Sequence, residues 1–324
     1  MTAGIPTVSV VLPTYNRLRY LRPAVDSVFA QTFADWELIV ADDGSDGETA
    51  AFLATLALLP RVKLLKLPHT GNPGAARNAA LRAACGSYIA FLDSDDVWLP
   101  RKLEIQIDAQ KASPSRRWSY TALTRVGPSG EVMPGEFSGR RLMREGTVLE
   151  QLLTLDVVIA TPSVAVERSL MMEVGGFDEE QLFFEEYDMW LRLNLRSEVC
   201  AIPEPLVLVR NHDQHYSADR VGVYQARFRL LDKFAALAPS AQFDPILRQE
   251  RAKTAAALAW VHAAAGRRGD ALRMLWRSRG CAWQSRNGWQ RAAATAARAI
   301  APAWLRNLLR RHRSRARPSI TGQA

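Results

Sequence analysis

The chain has 324 residues, 48% of them hydrophobic, enough for one large domain plus a smaller one and for a sizeable buried core. From residue 241 to the end there are 17 Lys and Arg against 3 Asp and Glu, a balance of +14. The first 240 residues then carry −5 of the total +9, so a mildly acidic, enzyme-like body precedes a strongly basic segment. Three widely spaced cysteines (Cys85, Cys200, Cys281) exclude a disulfide framework and a cysteine metal cage and fit a reducing cytosol. The start shows no basic leader and no run reaches the ~18–20 apolar residues of a membrane span, so the expected place is the cytoplasm.

The elements follow in chain order. Residues 8–12 are an apolar, β-branched run of the kind buried in parallel sheets. Residues 18–31 predict a helix with Leu18, Leu21, Val25, Val28 and Phe29 on one face. A strand at 36–41, a helix at 48–59, a strand at 62–67, a helix opened by Pro73 at 73–84 and a strand at 88–92 complete the N-terminal third. Strictly alternating strand and helix predict an α/β fold with a doubly wound, mostly parallel sheet, whose ligands bind beyond the carboxyl ends of the strands. No Gly-x-Gly-x-x-Gly follows a strand and no P-loop is present. Residues 111–208 read as irregular, with short strands and an amphipathic helix at 185–196; beyond about residue 217 the chain is Ala- and Arg-rich and helical.

Three strand ends carry polar clusters: Pro13-Thr14-Tyr15-Asn16, Asp42-Asp43-Gly44-Ser45-Asp46 and Asp93-Ser94-Asp95-Asp96. Three carboxylates within four residues repel one another unless a cation neutralises them. Two readings stand: a site for a hard divalent ion and a diphosphate, or a solvated acidic turn with Asp96 capping the next helix.

Six blocks in this order resemble the family 2 glycosyltransferases, which have a GT-A fold and invert the anomeric centre. They are VSVVLPTYNR at 8–17, LIVADDGS at 38–45, GAARNAAL at 74–81, the Asp93 cluster, VGGFDE at 174–179 and EEYDMWLRL at 185–193. The resemblance implies a catalytic domain over residues 1–217, with a nucleotide-sugar half to about 110 and an acceptor half from about 111, then a helical basic region over 218–324. It also implies a nucleotide-diphosphate sugar, a UDP-sugar in the first instance, and Mn²⁺ or Mg²⁺.

The implied roles fall on matching positions. Pro13, Thr14 and Tyr15 would line the base, Asp42 would accept from the base imide with Asp43 beside it, and Arg77 would approach the base and diphosphate. Asp95 would hold the ion and Asp93 the ribose or a metal-bound water. His212 would sit by the metal, and Asp178 and Glu185 on the acceptor side. The family usually has Glu-Asp where this chain has Glu185-Glu186, so Glu186 takes the general-base role, with Asp188 in reserve. Plain alternatives stand beside these: turn aspartates, a surface arginine, helix N-terminal acids complementing a dipole.

Residues 291–317 alternate Arg with Ala, Ile, Trp and Leu. A basic amphipathic helix of this kind suits peripheral contact with an anionic membrane and a cell-envelope glycan or lipid-linked acceptor. Packing on the catalytic domain or a disordered basic end would use the same residues. No nucleic-acid motif is present. The alternative function is a non-catalytic nucleotide-sugar-binding protein.

Overall fold

The structure is a computed structural model that describes residues 4–133, 143–211 and 219–278. His212 and the basic stretch 291–317 lie outside the described residues. The chain divides into two compact units, Met1–Tyr216 and Ser217–Ala324.

The first unit is built on one eight-stranded sheet of order β3-β2-β1-β4-β7-β6-β8-β5. Its first half is parallel: β1 (Val8–Thr14) lies between β2 (Trp36–Asp42) and β4 (Tyr88–Phe91), and β3 (Val62–Lys66) flanks β2. The connections are helices α1 (Leu18–Phe29), α2 (Gly47–Leu56) and α3 (Pro73–Ala83). Val8, Val10, Val11 and Leu12 are fully buried, as a strand covered on both faces requires. Ser9 is buried among them, and its hydroxyl donates to Glu37 Oε1 at 2.6 Å, which in turn faces Lys63 Nζ. Gly86 passes so close to β1 that a Cβ there would lie 2.6 Å from the Ser9 nitrogen.

The second half is mixed. β7 (Val164–Glu167) runs antiparallel to β4 and to β6 (Trp118–Val126), β6 is parallel to β8 (Val199–Arg210), and β5 (Val97–Trp98) closes the edge antiparallel to β8. The stretch read as irregular therefore contains the two longest strands of the sheet. The apolar run 206–209 reads as a strand, but Pro203 and Pro205 hid the first part of β8: its register against β6 shifts at Thr121, Ala122 and Leu123, opposite those prolines, where the ladder tolerates a missing N–H. Helices α4 (Lys102–Ala112), α5 (Leu149–Thr154), α6 (Arg168–Val174) and α7 (Glu185–Asn194) complete the unit. Trp118, Trp190 and Phe91 form its aromatic core, with the two indoles stacked at 5.8 Å. Lys102 is fully buried; its Nζ lies 3.7 Å from the centre of the Trp98 ring, has no hydrogen-bond partner among the described residues, and burial holds its pKa well below the usual lysine range.

The second unit contains α8 (Arg220–Leu237), α9 (Asp244–Ala264) and α10 (Arg268–Ser278). Asp219 caps α8 by accepting from the Gly222 N–H, and Gly266 at φ +78° turns the chain after α9. Leu258, Ala259, Met274 and Leu275 pack with Val221, Tyr224 and Phe228. Among the described residues no helix is long and apolar enough to cross a membrane.

Candidate active site

The register fixes where the polar clusters meet. Thr14 pairs with Asp42 and Val11 with Phe91, so the segments after β1, β2 and β4 emerge at one edge of the sheet. The Asp43 N–H donates to the Thr14 carbonyl at 2.9 Å, fastening the first two. Between β1 and β4 the connections change direction, and a crevice opens there in α/β sheets. Here it is a cavity of about 270 Å³, lined by Pro13, Thr14, Tyr15 and Arg17 from the first segment. Asp43 comes from the second, Gly71 to Pro73, Ala76 and Arg77 from α3 and the loop before it, and Asp93, Ser94 and Asp95 from the third.

In the first segment Tyr15 is exposed and stacks on His69, ring centres 4.0 Å apart. Asp43 is buried and cradles the loop before α3, accepting from the Thr70 N–H at 2.9 Å and the Gly71 N–H at 2.8 Å. Asp42, expected to read the base, does not line the cavity: its Oδ1 accepts from the Ser45 N–H and closes the turn after β2. Asp43 is the carboxylate of that pair at the cavity wall. Thr14 Oγ1 is buried without a hydrogen-bond partner among the described residues.

The carboxylates that line the cavity meet arginines. Arg77, almost fully buried, donates to Asp93 Oδ1 at 2.7 Å and to Glu185 Oε1 at 3.1 Å, with the Phe177 ring centre 5.3 Å away. Burial opposes its charge, but Asp93 and Glu185 outweigh that and hold the guanidinium more strongly protonated than usual. Arg17 Nη1 pairs with Asp95 Oδ2. Asp96 is no helix cap; its Oδ1 accepts from the Arg210 N–H at 2.8 Å, and the next helix starts at Lys102 after Arg101. Burial, then the neighbouring carboxylates, raises the pKa of Asp96, and that of Asp93 is raised by burial and Asp95 against the pull of Arg77.

Glu185 and Glu186 open α7, and Phe184 before them takes a left-handed backbone at φ +62°. Non-glycine residues adopt that region at a cost, and such strain gathers at functional sites. Burial, then the charge and hydrogen bond of Glu185, pushes Glu186 up to about 8. Asp188 is 2% exposed, and Arg192 Nε and Nη2 both donate to its Oδ2, at 2.9 and 2.6 Å. That i,i+4 pair lies within α7, and Arg192 Nη1 donates in turn to the Val174 carbonyl at the end of α6.

Asp178 accepts from the Glu180 N–H in the loop after α6. Asn78 holds this loop to α3, donating to the Phe177 carbonyl and accepting from the Phe177 N–H, both at 2.8 Å. Sequence reading gave no role to Asn78, Arg17 or His69. Asn78 and Arg17 stand inside two of the recognised blocks, but their partners are 99 and 78 residues along the chain.

Among the described residues no three His, Cys, Asp or Glu side chains group as a closed metal cage. Asp93 and Asp95 at the cavity wall are instead an open, hard-oxygen donor set. Such a set fits an ion that takes one or two carboxylates and completes its shell from phosphates.

Residues 9–166 match the family described as Glycosyl transferase family 2. A relative in Escherichia coli, named UDP-Glc:alpha-D-GlcNAc-diphosphoundecaprenol beta-1,3-glucosyltransferase WfgD, is 44% identical over 198 residues, 60% of this chain and 72% of the relative. An uncharacterised glycosyltransferase of Rickettsia conorii is 30% identical over 203 residues, and there the chain spans 32% of the relative's length. Among solved structures, S. aureus TarS in complex with UDP-GlcNAc superposes with TM-score 0.59 at 17% identity, covering 84% of this chain and 89% of that one. The mannosyltransferase PcManGT from Pyrobaculum calidifontis in complex with GDP-Man and Mn²⁺ gives 0.58 at 21%, covering 96% and 80%. On its fold and on these likenesses, the chain belongs to the family 2 glycosyltransferases, on a GT-A fold.

Proposed function

We propose that this protein transfers a sugar from a nucleotide diphosphate, a UDP-sugar, to a hydroxyl of a cell-envelope glycan or lipid-linked acceptor, with inversion. The observation that carries the reading is the cavity at the strand ends, lined by an aromatic ring and by two arginine–carboxylate pairs. The name of the Escherichia coli relative supports both the UDP-linked donor and the diphosphate-lipid acceptor.

In this reading Pro13, Thr14, Tyr15 and Asp43 receive the base, and Tyr15 offers the stacking ring. Asp93 holds the ribose. Asp95 would carry the divalent ion, Mn²⁺ or Mg²⁺, which supplies charge neutralisation for the departing diphosphate. Arg77 adds fixed positive charge near that oxygen-rich end and keeps α3, β4 and α7 in one arrangement. Glu186 takes the proton from the acceptor hydroxyl as it attacks. A carboxyl with a pKa near the working pH suits that task. Glu185 and Asp178 lie on the acceptor side, and Asp188 pairs with Arg192, which fastens α7 to the end of α6 through the Val174 carbonyl.

Calorimetric titration with UDP, GDP, dTDP and ADP in the presence of Mn²⁺ tests the donor assignment. UDP binds most tightly, and Tyr15→Ala and Asp95→Ala each weaken it about tenfold or more. Equal or absent binding of all four would overturn the donor assignment.

A further inference from the structure

The two arginines at the carboxylate end differ in a way that separates their roles. Arg77 is 6% exposed at its side chain and grips two carboxylates at once, so it cannot leave without stranding both. Arg17 is 30% exposed and Asp95 17%. Its backbone is pinned: Asn16, at φ +47°, accepts from the Asp46 N–H and donates its own N–H to Ser45 Oγ. From that anchor the long side chain spans from the end of β1 to the end of β4 and covers the carboxylate that the proposed function gives to the ion.

We infer that Arg17 is a built-in counter-ion of Asp95, which the divalent cation displaces when it binds together with the nucleotide diphosphate. The inference rests on the metal role proposed for Asp95. A guanidinium and a dication on one carboxylate repel each other, so binding of the ion competes with the Arg17 pair. The pair keeps the crowded carboxylates neutralised in the empty protein. Arg17, the residue that precedes α1, itself lines the cavity. A diphosphate arriving with the ion gives the displaced guanidinium a new anion. The cation therefore binds weakly by itself and tightly with nucleotide, and donor and ion load together.

The test is Mn²⁺ binding to the full chain, read from the electron paramagnetic resonance signal of free Mn²⁺, with and without UDP. Wild type, Arg17→Met, Arg17→Gln and Asp95→Asn are compared after thermal melting confirms folding. Without UDP, Arg17→Met binds Mn²⁺ about tenfold more tightly than wild type, the size expected for losing one charge-assisted pair. UDP narrows that gap, and Asp95→Asn binds no Mn²⁺ at the site. Should Arg17→Met not fold, Arg17→Gln carries the same comparison. If Asp95→Asn abolishes binding but neither Arg17 variant exceeds wild type, the counter-ion role is overturned while the metal role stands. If Asp95→Asn binds Mn²⁺ like wild type, the metal role falls and the inference with it.

Discussion

Arg77 on α3 donates to Glu185 at the start of α7, 3.1 Å away and 108 residues further along the chain. With its second bond to Asp93 it ties the parallel half of the sheet to the helix that carries the proposed base. The site is therefore built around a cation that is part of the fold, not only of the ligand chemistry.

Removing that cation leaves two carboxylates facing each other in a buried place. Arg77→Ala is expected to cost about 3–5 kcal/mol in urea unfolding, the penalty for breaking a buried pair from one side. Arg77→Lys keeps the charge but loses the fork that reaches both partners, and costs less. An equal, small loss in both variants would show that the pairs contribute little.

Glu186 links activity to pH. It acts deprotonated, and burial beside Glu185 pushes it up to about 8. Turnover should rise about tenfold per pH unit below 8 and flatten above it. Stability runs the other way. The folded state binds more protons at Glu186 than the unfolded state between its ordinary value of 4.5 and about 8, so stability falls as pH rises through that window. Glu186→Gln lowers turnover about 10²–10⁴-fold, yet at pH 9 it is more stable than wild type. A pH–rate profile and melts at pH 5 and 9 check both halves.

Gly176 sits at φ +76°, and a Cβ there would lie 2.6 Å from Asn78 Oδ1. Gly176→Ala should cost at least about 2 kcal/mol, from backbone strain and from forcing Asn78 off the Phe177 backbone. Gly175, also at positive φ but with nothing near its Cβ position, should cost less on the same change. Equal losses would remove the Asn78 contact from the explanation.

Lys102 is the one fully buried lysine among the described residues, with Trp98 beneath its amine. Lys102→Met keeps the volume and discards an amine that burial penalises. It should raise stability by on the order of 1–2 kcal/mol at pH 7. The gain should shrink as pH rises towards the ordinary lysine range, because burial leaves the amine binding fewer protons in the fold than in the unfolded chain, and that difference fades as the unfolded amine loses its proton. Destabilisation by Lys102→Met would mean that the amine has a favourable role the geometry does not reveal.

The parallel half was legible because its strands are continuous apolar runs with no competing period: residues 8–12 and 36–41 lie inside β1 and β2. The mixed half was not. β8 shows only its apolar end at 206–209 because Pro203 and Pro205 interrupt it, and β6 buries Ser119 and Thr121, so it lacks the alternation that betrays a strand. The cavity wall was visible as clusters at strand ends, because topology alone sends those ends to one edge. Which carboxylate of a pair faces inward was not: Asp42 and Asp43 differ only in what the next turn does with them. The Asp188–Arg192 pair, by contrast, stands in the sequence as a plain i,i+4 spacing of opposite charges.

The central claim is metal-assisted transfer from a nucleotide sugar. The most direct measurement is release of nucleoside diphosphate from a panel of nucleotide sugars with Mn²⁺ or Mg²⁺, for wild type, Asp95→Ala and Glu186→Gln, with envelope glycans and lipid-linked acceptors supplied. Metal-dependent release of UDP from one donor, lost in both variants, is the predicted result. Tight nucleotide binding with no release from any donor would contradict it, and the non-catalytic binding role would take its place.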